Sequence, residues 1–272
     1  MWSDDSRTRT AAVTGASSGL GRAIAIGFGQ LGWSVVIGAR RVDRLQETAT
    51  AVEAAGGRAI PLPLDVREPD SVERFFDRAA EEAPELDVLV NNAGITHIGA
   101  VADTDAESVL DVIGTNLIGA FLTSTRFLHD LRARGAGGDI IFISSSAAQQ
   151  PWPYQVLYGT AKTGVDALAR GLQLELEGTG IRSTIVRVGP VESEIGANLD
   201  SASAMDIVAE WQRFGVLRNF AFLPTEQVAR TVAIVASAPP EMFLREVYVD
   251  CMAPTEALTP EQIDAAIGRG GR

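Results

Sequence analysis

The chain has 272 residues, 46% hydrophobic and 21% charged, an ordinary globular composition with enough apolar material for a large core. A net charge of -12, a pI near 4.7 and the lack of any extended Lys/Arg block argue against nucleic acid as a partner. A single cysteine, Cys251, excludes an intrachain disulfide and fits the cytoplasm, polar residues Met1 to Thr10 do not form a secretory signal, and no apolar run approaches the ~18 residues of a membrane span.

The first apolar run, Ala11-Ala12-Val13, leads into Thr14-Gly15-Ala16-Ser17-Ser18-Gly19-Leu20-Gly21. Leu20, Ala23, Ile24, Gly27, Phe28 and Leu31 then recur at helical spacing, and Gly32 suits a stop. A glycine-rich turn between strand and helix can cradle a pyrophosphate. Gly15 supplies a tight turn, Gly19 a close backbone approach and Gly21 close helix–strand packing, while the helix N-terminus offers free N–H groups. The same residues also fit G-x-S-x-G with Ser17 as a hydrolase nucleophile. That elbow belongs in the middle of a sheet, not after its first strand, and the only histidines are His97 and His129. These two and Cys251 show no metal-site spacing.

The second run, Trp33 to Ile37, ends in Gly38-Ala39-Arg40-Arg41. An acid here would hold a ribose 2′-hydroxyl; two arginines suit a 2′-phosphate by charge and by forked donor geometry. NADP(H) is therefore the expected cofactor, with NAD(H) possible if the arginines are merely solvated. Asp43 is expected to cap the next helix, which ends around Gly56-Gly57. Ala59 to Leu64, carrying Pro61 and Pro63, reads as an edge strand. Val88-Leu89-Val90, Ile140 to Ile143, Ile185 to Val188 and Val247 to Val249 complete the strands. Near-continuous apolar strands alternating with helices predict an α/β fold: a single-domain, Rossmann-like, doubly wound parallel sheet with helices on both faces. The domain is expected over 8–254, followed by a tail at 255–272.

Tyr158 and Lys162 follow Ser145 by thirteen and seventeen residues. A phenol is a poor base near neutral pH, and a nearby ammonium favours its ionised form. Residues four apart share a helix face, so both can address one ligand, with a hydroxyl from another segment holding a substrate oxygen. Val165, Leu168, Ala169, Leu172 and Leu176 continue that helix to a stop near Gly178 and Gly180.

These motifs together resemble the classical short-chain dehydrogenase/reductase family over roughly Thr8 to Asp250. In order they are TGASSGLG at 14–21, LDV at 64–66, NNAG at 91–94, Asn116 in GTNLIGAF, Ser145 in ISSSA, and Tyr158 with Lys162 in YGTAK. The resemblance implies reversible hydride transfer between a nicotinamide and a carbonyl carbon. It makes Tyr158 the general acid/base and Ser145 the holder of the substrate oxygen. Lys162 is implied to bind the nicotinamide ribose and depress the Tyr158 pKa, and Asn116 to hold a relay water. It selects Ser145 over Ser144 and Ser146. Besides Gly15, Ser17, Ser18, Gly19, Leu20, Gly21, Arg40 and Arg41, the implied cofactor contacts are Asp65 and Val66 at the adenine, Asn92, Ala93 and Gly94 at the middle, and Gly189, Val191 and Ser193 at the nicotinamide.

Plainer readings stand beside these. Asn91 and Asn92 can cap a strand end, Asp65 can be a turn residue before a helix capped near Asp70, and Asn116 can be a satisfied buried amide. Two runs depart from the family pattern: Val188-Gly189-Pro190 lacks the usual Pro-Gly, and Val249-Asp250-Cys251-Met252 lacks the usual paired glycines. Segment 194–223 occupies the family's lid position. Its apolar residues, Trp211 among them, with His97, Ala147, Trp152 and Tyr154, predict a pocket for a hydrophobic ketone or secondary alcohol. The resemblance also implies a homotetramer, or a dimer, through segments 104–132 and 155–177. A non-catalytic nucleotide-sensing subunit is the alternative function.

Overall fold

The computed structural model describes residues 8–191, 201–217, 221–253, 255–256 and 259, with only the backbone of 201–205. Seven strands form one parallel sheet in the order β3-β2-β1-β4-β5-β6-β7. They are β1 (Thr10–Thr14), β2 (Ser34–Ala39), β3 (Arg58–Pro63), β4 (Val88–Asn91), β5 (Gly138–Ser145), β6 (Ile181–Val188) and β7 (Glu246–Val249). The helices are α1 (Gly19–Gln30), α2 (Val42–Ala54), α3 (Pro69–Glu82), α4 (Ala106–Ile113), α5 (Gly119–Arg134), α6 (Val156–Glu175), α7 (Ser201–Arg213) and α8 (Thr225–Ala236).

Successive strand side chains point to opposite faces, so apolar residues on both parities produce two cores. Ala12, Leu89, Ile140 and Phe142 face α3, α5 and α6, where Phe75, Phe127 and Val165 pack. Val13, Val90, Ile141 and Ile143 face α1, α2 and α8, where Ile24, Phe28, Leu45 and Val232 pack. The proline-bearing β3 lies at one edge, as its composition predicts. At the lower rim, Arg9 binds Asp87 at 2.8 Å and Asp139 at 2.5 Å, and Arg182 binds Asp139 at 2.6 Å, locking the strand starts together.

Two helix starts differ from expectation. Arg41 precedes α2 and Glu68 precedes α3, neither with a side-chain cap bond, and Asp43 and Asp70 fall inside the first turns. There they still oppose the helix dipole favourably, and Pro69 fits the first turn, where no N–H is needed. Gly32 and Gly56, both at positive φ, follow the ends of α1 and α2 as the sequence predicts.

α4, a π-helical turn at Gly114–Ile118, and α5 make one continuous run. Residues 106–134 are long and apolar enough to cross a membrane by length and composition alone. Here Phe127 and Leu131 pack on the sheet, while Leu110, Ile118 and Phe121 face outward.

The chain reverses its winding between β1 and β4. Such a switch point opens a crevice at the carboxyl ends of the strands, where open α/β sheets bind ligands.

Candidate active site

At that crevice Thr14 ends β1, and its Oγ1 accepts from Asn92 N at 3.1 Å and Ala93 N at 3.0 Å. Asn92 Nδ2 returns a bond to Thr14 O at 2.9 Å, so β1 and the loop after β4 are sewn together. Gly15 and Gly19 adopt φ of 69° and 51°, a left-handed region that favours glycine. A Cβ on Gly21 would run into Gly15 O and Asn92 Nδ2, whereas among the described residues nothing lies within 4 Å of one on Gly19. The loop is therefore closed on its protein side and open at Gly19, above the start of α1. No acid occupies the first turn of α1 to repel an anion.

Arg41 folds back onto this loop. Its Nη2 donates to Ser18 Oγ at 2.6 Å and to Ser17 Oγ at 3.2 Å. Arg40 is exposed beside it and is close enough to help stabilise the Asp65 carboxylate. Asp65 is held chiefly by Arg67, at 3.1 Å from Nε and 2.9 Å from Nη2, and these bonds keep its carboxyl below the usual range. Arg67 also reaches Asp111 on α4 at 2.6 Å. Val66 is a core residue whose side chain packs where a Cβ on Gly119 would sit. The Val66 side chain is thus packed against α5, beside the Asp65 carboxylate at the end of β3.

Ser145 closes β5 and precedes a 3-10 turn at Ser146–Ala148. Its Oγ accepts from Ala147 N at 3.1 Å and hydrogen-bonds with the Tyr158 hydroxyl. Tyr158 and Lys162 share the inward face of α6, with Lys162 Nζ 5.8 Å from the Tyr158 ring centroid. Lys162 is 5% exposed and donates to Ile143 O at 2.7 Å. Burial pushes its pKa down to about 8, opposed by the charge of Asp166. Burial also pushes the Tyr158 pKa up, and the Ser145 bond pulls it only partly back. The expected depression by Lys162 is therefore not found in this arrangement. The ammonium lies over the ring and is tied to a backbone carbonyl, so burial outweighs it.

Asn116 sits in the π-helical turn, where Oδ1 accepts from Ile95 N and Nδ2 donates to Ile95 O, both at 2.8 Å. Its side chain is the satisfied amide of the plainer reading, clasping the loop after β4. A Cβ on Gly94 would lie 3.3 Å from Asn116 Oδ1 and 3.6 Å from Lys162 Nζ, which places this exposed glycine between the two.

The segment 151–154, where a substrate pocket is expected, packs on α7. Trp152 and Trp211 meet edge to face at 5.1 Å, and Trp211 Nε1 donates to Pro153 O at 2.7 Å. Tyr154 has φ of 63°, unusual for a residue with a side chain, and its carbonyl accepts from Gly99 N at 2.8 Å. His97 Nε2 pairs with Thr104 Oγ1 at 3.1 Å, and Ala147 is buried beneath Ser145. Gly189 donates to Val249 O at 2.9 Å and abuts Asp250, while Val191 bridges to Leu223. Ser193 and lid residues 194–200 and 218–220 lie outside the described residues.

The short chain dehydrogenase family model matches residues 9–204. The chain belongs to that family. A short chain dehydrogenase of Pseudocercospora fijiensis is 37% identical over 195 residues, covering 71% of this chain and 63% of that protein. An alcohol dehydrogenase of Thermococcus sibiricus, solved with 5-hydroxy-NADP, superposes with a TM-score of 0.76 at 26% identity, covering 89% of this chain and 96% of that one. A variant actinorhodin polyketide ketoreductase, solved with NADPH, gives 0.78 at 30% identity, covering 90% and 97%.

The glycine loop of this short chain dehydrogenase fits a dinucleotide. It has an open approach at Gly19, a helix start without acids, and Arg41 beside two hydroxyls. Three features escaped the motif reading. Thr14 is the rivet between β1 and β4, Arg67 holds Asp65, and Asp166 with Arg187 lies buried under Ser145. The last had a visible signal: an arginine inside the apolar run Ile185 to Val188 demands a buried partner.

Proposed function

We propose that this chain is an NADP(H)-dependent oxidoreductase that interconverts a hydrophobic ketone or aldehyde and its alcohol, with Tyr158 as general acid/base. The observation that carries the reading is the convergence of Ser145, Tyr158 and Lys162 on the loop after β4, whose Asn92 and Ala93 pack against Gly15 of the glycine loop. When bound, the nicotinamide supplies or accepts the hydride. Ser145 Oγ holds the substrate oxygen against the Tyr158 hydroxyl. In reduction Tyr158 gives its proton to that oxygen, and in oxidation it takes the proton back. A phenol whose pKa is raised by burial stays protonated at neutral pH, which suits the donor role. Lys162 holds a positive charge against the Tyr158 ring and orients toward the groove at Gly94.

Gly15, Ser17, Ser18, Gly19, Leu20 and Gly21 are assigned to the pyrophosphate, Arg40 and Arg41 to the 2′-phosphate, and Asp65 and Val66 to the adenine. Asn92, Ala93, Gly94, Gly189, Val191 and Ser193 are assigned along the cofactor's remaining length. The NADP-bound family structures and the Arg41–Ser17–Ser18 cluster support the cofactor choice. The Trp152–Trp211 wall supports an apolar substrate. Ile118, Phe121, Leu122 and Leu168 line an apolar groove between α5 and α6, which supports a homotetramer or dimer through these helices.

Titration with NADPH and NADH, followed by nicotinamide fluorescence, and then a ketone panel on the tighter complex test this reading. Tight NADPH binding with ketone-dependent oxidation is expected. Tighter NADH binding would overturn the cofactor assignment, and binding without turnover on ketones and alcohols would favour a sensor.

A further inference from the structure

A carboxylate lies buried one helical turn beyond Lys162. Asp166 is 2% exposed, and an interior charge survives only when paired and hydrogen-bonded. Its Oδ1 accepts from Ser144 Oγ at 2.5 Å, and its Oδ2 lies 2.8 Å from Arg187 Nη1. Arg187 is 1% exposed, pairs onward with Glu246 at 2.6 Å and donates to Ser145 O at 3.3 Å. Lys162 donates to Ile143 O at 2.7 Å. Three consecutive residues at the end of β5 are thus each gripped by a different charged side chain: Ile143 by Lys162, Ser144 by Asp166 and Ser145 by Arg187.

The charges divide unevenly. Glu246 serves Arg187 and, at 3.4 Å, Arg170. Arg170 also approaches Asp166, at 3.8 Å. Among the described residues, the groups facing Lys162 are the Ile143 carbonyl from β5, the Tyr158 ring from α6, and Gly94 with Asn116 Oδ1 from across the groove, all uncharged here. Asp166 follows Lys162 by one turn of α6, both are buried, and its negative charge opposes the lowering of the Lys162 pKa by burial.

We propose that Asp166 is a positioning residue of the Ser145–Tyr158–Lys162 centre. Its buried carboxylate is the counter-charge that keeps Lys162 an ammonium, and it ties the Ser145 end of β5 to α6. The catalytic consequence rests on the function proposed above; the electrostatic one does not. The pairing with Arg187 is the structural share of Asp166; its effect on Lys162, one turn away on α6, is the positioning share.

Lys162 is the only lysine in the sequence, so protein grown with 13Cε-lysine gives a single signal to titrate. Its midpoint is expected near 8 in the parent protein. Removing a nearby opposite charge destabilises the ammonium, so Asp166→Asn should lower the midpoint by about one unit or more, and Asp166→Glu should restore most of it. An unmoved midpoint in a folded Asp166→Asn protein would overturn the proposal.

If Asp166→Asn does not fold, Glu246→Gln at the part-exposed sheet edge replaces it. Arg187 then leans on Asp166 alone, and the Lys162 midpoint should fall by less; no movement there overturns the proposal equally. In carbonyl reduction the alkaline limb of kcat/KM should move to lower pH with the same variants, because the ammonium is lost sooner as pH rises. Absence of any turnover would count against the proposed function, while the lysine titration would still decide the role of Asp166.

Discussion

The two sides of the switch point solve different problems with different materials. On the nucleotide side, β1, β2 and their loops work mainly with backbone. Glycines at positive φ, a helix start free of acids and the threonine rivet at Thr14 shape the loop, and one arginine folds over it. On the catalytic side, β5, β6 and α6 bury charges. Lys162, Asp166 and Arg187 lie in the interior, anchored to three successive residues of one strand. Backbone donors need no desolvation of a full charge and survive most changes of side chain. A buried ion network pays that cost and is sensitive to every member.

That contrast can be broken at its strongest point first. Tyr158→Phe should lower turnover by ~100- to 10,000-fold while leaving folding and NADPH affinity intact, since positioned proton transfer is what it removes. Near-normal kcat would take Tyr158 out of the mechanism. Arg41→Ala tests whether the nucleotide side has one charged element that matters. Loss of a charge-assisted bond costs ~1.5–3 kcal/mol, so NADPH Kd should rise roughly 10- to 100-fold with little change for NADH. Equal weakening of both cofactors would remove the 2′-phosphate assignment.

Smaller effects sharpen the backbone half of the comparison. Gly21→Ala places a methyl against Gly15 O and Asn92 Nδ2. Overpacking of this kind costs ~1–3 kcal/mol, to be read from the urea midpoint together with weaker binding of both cofactors. An unchanged midpoint would mean that the loop yields. Trp211→Phe keeps a ring against Trp152 but loses the bond to Pro153 O. The net value of such a bond, ~0.5–1.5 kcal/mol, predicts a few-fold higher KM for an apolar ketone at unchanged cofactor affinity. A change in cofactor affinity instead would place α7 over the nucleotide.

Much was legible in the sequence because it is written in local patterns. Strand parity, the helical stripes and the glycine loop each depend on residues adjacent along the chain, so the parallel sheet and its order of elements follow from periodicity. The proline-bearing strand at the edge follows from missing N–H groups in the same way. Helix caps were less legible. Asp43 and Asp70 each lie one turn position inside the true start, because an acid favours the first turn almost as well as the cap.

By itself the sequence determined the α/β sheet and the glycine turn between β1 and α1, and its resemblance to a family singled out Ser145, Tyr158 and Lys162. Only the tertiary structure decided what those side chains do to one another. The Asn116 amide clasps the Ile95 backbone, the Val66 side chain packs at Gly119, and burial pushes the Tyr158 pKa up. It also decided that Asp166 and Arg187, from different elements, meet beneath Ser145. The physical reason is that spacing along a helix or strand fixes a face, whereas burial and pairing depend on neighbours far away in the chain, and these set the energy of a charge.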